Sequence, residues 1–179
     1  MNYISKCFKH LKLILKHKYF VFIVSCQIGI PIRGIFHDMS KFSPSEFFTS
    51  AKYYNGSKSP IDIEKEIHGF SYAWLHHRGH NKHHWEYWID NLSHGGDALK
   101  IPYKYVLEML CDWIGSGKAY NGKDWTIQVP FKFFINKYNK GDIKIHLETY
   151  KFIFNVLYEY SKTGKLKKSI NKYKNEYFN

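Results

Sequence analysis

Ile4, Phe8, Leu11, Leu15, Phe22 and Cys26 recur at three- and four-residue steps, with lysines between them. On a helix of 3.6 residues per turn these positions share one side, so residues 4–28 are expected to form an amphipathic helix whose apolar stripe packs inward. Gly29-Ile30-Pro31 stops it. The same period governs the rest of the chain. Ser43-Pro44-Ser45-Glu46 reads as a capping box with proline at the first helical position, opening a helix through about Tyr54. After a turn-rich loop at 55–60, a third helix is expected from about Asp62 to His77, bent near Gly79, with a further helical piece from His83 to Ile89. Residues 91–100, with Gly95-Gly96, read as loop. Pro102 opens a helix to about Ile114, ended by Gly115-Ser116-Gly117; Pro130 opens a short one. Asp142 begins a long one with the stripe Ile143, Leu147, Tyr150, Phe154 and Leu157. Only 125–129 has strand character. The fold class expected is all-α, one helical domain over residues 1–160, with a basic tail at 161–179 that trails or lies along the surface.

A chain of 179 residues is enough for one well-cored domain and too short for two. Lys+Arg 27 against Asp+Glu 15 gives a net charge of +12, yet only Arg33 and Arg78 are arginine. Phosphate and base readers favour the guanidinium fork, so the charge reads as solubility and a general attraction to anions. Nucleic acid is therefore a partner admitted but not favoured. Cys7, Cys26 and Cys111 are odd in number and in no CxxC pair, which excludes a disulfide framework or zinc ribbon and points to a reducing compartment. The longest apolar stretch, residues 19–32, holds Ser25 and Gln27 and is too short to span a bilayer. The start has no signal-peptide pattern, so a cytoplasmic location with no membrane partner is expected.

Eleven histidines are unusual, and five fall between His76 and His84. With His17, His37-Asp38, Lys41 and Asp112 they sit on, or at the end of, different expected helices. A metal site needs neutral imidazoles and ionised carboxylates brought from several rigid elements to one point, and an adjacent His-Asp can offer both ligand types. Nitrogen and oxygen ligands without thiolate suit manganese, iron or cobalt, and admit zinc, nickel or magnesium. Helical spacing puts His77, Asn81 and His84 on one face and His76, His80 and His83 on the opposite one, and leaves the choice open. Glu46 could act beside a metal, although the capping box accounts for it. Glu108, one turn before Asp112, could orient a ligating histidine from outside or be solvated. Trp74, Trp85, Tyr87, Trp88 and Trp113 could stack on a base, but at helical spacing aromatics are more often core.

His17, His37-Asp38 and Asp112 resemble the core pattern of the HD superfamily of metal-dependent phosphohydrolases. His37-Asp38-Met39-Ser40-Lys41 is similar to the His-Asp-x-Gly-Lys of its phosphodiesterase branches, with Ser40 in place of glycine. Residues 34–47, Ala73-Trp-Leu-His-His77 and Asn81-Lys-His-His-Trp85 look like a small uncharacterised bacterial and phage family that forms a divergent HD branch. The resemblance covers roughly residues 15–125. It implies an HD-like helical bundle in a bacterial or phage-infected cell, with one or two divalent ions. His17, His37, Asp38 and Asp112 would hold one ion, and His77 and His84, with His83 as alternate, the second. Asp38, Lys41 and Glu46 would be the catalytic groups, and Arg33 and Lys118 further phosphate contacts. The substrate expected is a small phosphomonoester or phosphodiester, a nucleotide or cyclic nucleotide. A di-iron oxygenase and a non-catalytic nucleic-acid-binding protein are the alternatives.

Overall fold

Asn2 caps the first helix by accepting the Ser5 amide at 2.9 Å, and Gly29, at φ 88°, ends it. This helix, α1 (Tyr3–Ile28), is the longest of the chain. The computed structural model describes residues 2–90 and 97–178, which hold nine α-helices and no strand. The others are α2 (Pro31–Phe36), α3 (Pro44–Tyr53), α4 (Pro60–His68), α5 (Tyr72–His80), α6 (Tyr103–Asn121), α7 (Val129–Asn139), α8 (Leu147–Thr163) and α9 (Leu166–Tyr177). The chain is thus the single all-α domain expected. No described helix is long and apolar enough to cross a membrane.

Helix α1 buries a different side from the one its apolar stripe marks. Ile4, Phe8 and Leu15 are 67%, 70% and 52% exposed, while His10, Ile14, His17, Val21, Val24 and Ser25 face inward. The reason lies in α6. A Cβ added at Gly115 would stand 2.5 Å from Val21 Cγ2 and 2.9 Å from the Val21 amide nitrogen. The two helices therefore meet backbone to side chain along α1's histidine face, which the glycine alone permits. The same glycine, expected to end a helix near Ile114, lies in the interior of α6, which runs on to Asn121. Gly34 does for α2 what Gly115 does for α6: its Cβ would fall 2.7 Å from Ser25 Cβ and 3.0 Å from Phe22 Cα.

The expected third helix is two. Gly69, at φ 77°, closes α4, and Ser71 caps α5 by accepting the Trp74 amide at 3.0 Å. Between Asn81 and Asp90 the helical piece is a 3-10 turn at Trp85–Trp88. Of residues 125–129, expected as strand, 125–128 are irregular chain and turn, and Val129 opens α7. Helix α8 starts at Leu147, not Asp142, with His146 as its cap; Leu147 is 60% exposed and Phe152, Ile153, Val156 and Leu157 carry the buried face. Of the loop expected at 91–100, residues 91–96 lie outside the described residues, and Ala98 pairs with Ile89 in an isolated bridge. The lysine-rich tail lies along the surface as α9, with Leu166 and Ile170 in the same core as Leu110, Ile114, Phe134 and Phe152.

Candidate metal centre

The close helix contacts set the site. At the level of Gly115, α1 presents His17 to Asp112 and Ser116, which are one turn apart on α6. Helix α2, seated on α1 through Gly34, ends at His37 and hands the chain to Asp38. Asp38 is the only described non-glycine residue with positive φ, 54°. Such a backbone costs about 1 kcal/mol or more and persists where the surroundings impose it. Here it aims a carboxylate, 1% exposed, into the bundle.

Each oxygen of that carboxylate meets its own set of imidazoles. Oδ2 is 3.2 Å from His17 Nε2 and 3.2 Å from His37 Nε2, and both nitrogens also face Asp112 Oδ1, at 3.4 and 3.5 Å. Oδ1 is 3.3 Å from His77 Nε2 and 3.3 Å from His83 Nε2. His84 completes that set, its ring 4.7 Å from His77 and 4.2 Å from His83 between centroids. Two buried groups could therefore hold a cation each: His17, His37, Asp38 and Asp112, and Asp38, His77, His83 and His84, with ligand atoms within 4.8 Å of one another. Asp38 belongs to both.

The outward nitrogens have their own partners. Ser116 Oγ is 3.2 Å from His17 Nδ1 and donates to Asp112 Oδ1 at 3.2 Å. Glu46 Oε1 is 2.7 Å from His77 Nδ1, where Ser40 Oγ also stands at 3.2 Å. Glu108 Oε1 is 3.2 Å from both His37 Nδ1 and His83 Nδ1. Asn81 donates to Ser40 Oγ at 2.7 Å. This pattern of Nε2 inward and Nδ1 held by oxygen is the one metal-binding histidines favour.

The electrostatics agree. Burial opposes charge on Asp38, yet His37, Lys41 and His77 hold its carboxyl well below the usual range. Asp112 is likewise well below it, against burial, through His37 and His17. Glu108 is drawn down to about 2, against burial, by His37 and His83. Burial and then Lys41 lower His17 to about 4, and burial and its histidine neighbours hold His84 well below the usual imidazole range. Against burial, Asp38 and Asp112 raise His37 well above the usual imidazole range, and against burial and the charge of His37, Asp38 and Glu108 raise His83, so a cation bound there would displace protons from both rings. Asp38 Oδ1, His83 Nε2 and His84 Nε2 are moreover buried with no hydrogen-bond partner. Orphaned buried polar atoms cost about 1–3 kcal/mol each, a cost a shared cation removes.

All seven residues expected as ligands, His17, His37, Asp38, His77, His83, His84 and Asp112, thus come to one point. The helical phase expected for the cluster does not hold. Because α5 ends at His80 and Asn81 is extended, His83 and His84 both reach the centre and neither is an alternate. His76 pairs with Glu46 at 3.1 Å, and His80 stacks on His76. Lys41 Nζ lies 2.6 Å from Asp38 Oδ2 with its side chain 23% exposed. Glu46 is no mere cap: Ser43 accepts its amide, but the residue is 2% exposed and its carboxylate is turned to His77. Arg33 is committed to Glu108 at 2.7 Å and lies over the Tyr105 ring, on the wall of a cleft of about 390 Å³ that reaches His83. Lys118 is not brought to the centre; it lies 4.7 Å over the Trp125 ring. Trp113 stacks on Phe134, and Trp74 lies against the site, edge-on to His84. Sequence reasoning missed Ser116, Ser40 and Asn81. Ser116, one turn beyond Asp112, and Asn81, one turn beyond His77, carry a helical signal, and Ser40 lies inside the His-Asp-x-x-Lys pattern.

A family model described as a family of unknown function, DUF5662, matches residues 6–159. No curated protein and no solved structure matches the chain.

Proposed function

The chain belongs to DUF5662, and we propose that it is a metal-dependent phosphohydrolase with an HD-type site. The observation that carries this reading is Asp38, whose two oxygens each face the Nε2 atoms of a separate histidine pair. A carboxylate so placed can be shared by two cations. His17, His37 and Asp112 would complete one set and His77, His83 and His84 the other. Manganese, iron and cobalt suit this nitrogen-rich mixture best. Divalent ions bound there supply Lewis acidity, activating water and neutralising charge on phosphoryl oxygens.

The protein's own groups do the rest. Asp38 and Asp112 stay ionised and bring negative charge that holds cations in a buried place. Lys41 supplies the fixed positive charge of the centre: its ammonium, partly exposed beside Asp38, can pair with a phosphoryl oxygen and give a proton to the departing alkoxide. Glu46 acts through His77 and not on substrate. A small phosphomonoester or phosphodiester, of nucleotide type, is the substrate class proposed.

The test is metal analysis of protein purified without chelator, followed by assays of simple phosphomonoesters and phosphodiesters with added Mn(II). Two ions per chain and turnover that chelator abolishes support the reading. Two ions with no turnover of any phosphoester sink it. The same donor set would serve iron, so dioxygen uptake by the Fe(II) protein on addition of substrate would put an oxygenase in its place.

A further inference from the structure

Glu108 stands apart from the other groups behind the histidines. Ser116 meets the far side of His17, and Glu46 meets that of His77, one ligand ring each. The Oε1 of Glu108 meets two, 3.2 Å from His37 Nδ1 and 3.2 Å from His83 Nδ1. Those rings lie 4.4 Å apart between centroids; each belongs to a different one of the two groups built on Asp38, and with Glu108 they form a third set of possible ligands. The other oxygen, Oε2, is held 2.7 Å from Arg33 Nη1, and the guanidinium lies 4.8 Å over Tyr105. One carboxylate is thus pinned from behind and spans both halves of the site.

An oxygen acceptor at Nδ1 keeps the ring hydrogen there and leaves the Nε2 lone pair free for a cation. From this geometry we infer that Glu108 is a positioning residue that joins the two cation groups. It sets the tautomer and orientation of one histidine in each, so both ions depend on a single side chain. The inference rests on the two-ion reading of the site but not on the hydrolysis of a phosphoester. Glu46 supplies the internal contrast, because it reaches the His77 group alone.

The experiment titrates chelator-treated full-length protein with Co(II), reading stoichiometry by calorimetry and ligand geometry by the Co(II) absorption spectrum. Wild type is expected to take two ions. Glu108→Ala should weaken both binding steps about 10–100-fold and alter the spectrum of both. Glu46→Gln should weaken one step and leave the other. Glu108→Gln, which keeps the shape and one oxygen acceptor, should weaken both steps by less than the alanine change, and it decides the matter if the alanine variant fails to fold. A purely structural role would leave the spectrum of each bound ion unchanged. Retention of one ion at wild-type affinity in either Glu108 variant overturns the inference, as does an equal effect of Glu46→Gln on both steps. A wild type that binds fewer than two ions overturns the inference and the two-ion reading together. Coupled loss of both ions in a protein inert towards phosphoesters supports the inference and removes only the hydrolase reading.

Discussion

At the scale of single residues, His10 isolates a buried imidazole without cation chemistry. It lies two turns before His17 on the inner face of α1, between the rings of Phe47 and Tyr54, and its Nδ1 has no partner. Burial first, and then the charge of Lys41, lower its pKa to about 4. A histidine in the unfolded chain takes up its proton near 6.5. Between those values the unfolded state binds more protons, so stability falls as pH drops from about 6.5 to about 4, by about 3 kcal/mol in all. His10→Leu should abolish that part of the slope in ion-free protein. Denaturant melts of wild type and variant across the window check it; parallel curves would show that His10 does not titrate there. Lys41→Ala should keep both ions and lower kcat about 100-fold or more, because the lysine touches Asp38 without being needed to fill either cation group. Asp38→Asn should instead lose both ions, since its two oxygens serve both groups; elemental analysis of the two variants separates ligand from proton donor.

At the scale of elements, the contact of α1 with α6 determines what reaches the site. Alanine at Gly115 would gain about 1 kcal/mol of helix propensity. Its Cβ would press on Val21 Cγ2 and on the Val21 backbone nitrogen, and overpacking costs about 1–3 kcal/mol. The clash wins. Gly115→Ala should lower stability and also weaken ion binding, because moving α6 carries Asp112 and Ser116 away from His17. Val21→Ala should rescue only part of this, as the backbone contact remains. By contrast Leu15→Lys, on the exposed stripe of α1, should change stability by no more than about 0.5 kcal/mol. Thermal melts paired with Co(II) titrations check both; a large loss in Leu15→Lys would show that the stripe is covered in solution.

At the scale of the molecule, the site residues lie between His17 and Ser116, yet the core that supports them includes the last helix. Phe178 meets Tyr103 and Phe152 at 5.1 and 5.0 Å between centroids, and Leu166 and Ile170 are buried. Removing residues 166–179 should cost about 5 kcal/mol of apolar burial, about 10–20 °C in Tm, without deleting a ligand. Chelation should lower the Tm of intact protein by about 5–10 °C, because ions that bind only the folded state stabilise it by mass action.

The histidines and aspartates of the candidate centre and the helical class were legible in the chain because both depend on local chemistry. Histidine and aspartate are recognisable wherever they stand, and a 3.6-residue period, a capping serine or an opening proline acts within a few residues of itself. Helices α3, α6 and α7 accordingly start where Ser43-Pro44, Pro102 and Pro130 place them. What the tertiary structure decided are the matters that need a second element. The periodic stripe of α1 names a face but not a partner, and the glycine of α6 chose the opposite, histidine-bearing face. Gly115 reads as a helix end until Val21 is seen against it. The cluster at 76–84 has a helical phase only while the helix lasts, and its end at His80 lets His83 and His84 reach the centre together. Glu108 could be solvated or attached to a histidine on spacing alone. Only folding places it 3.2 Å from two imidazoles that are 46 residues apart in the chain.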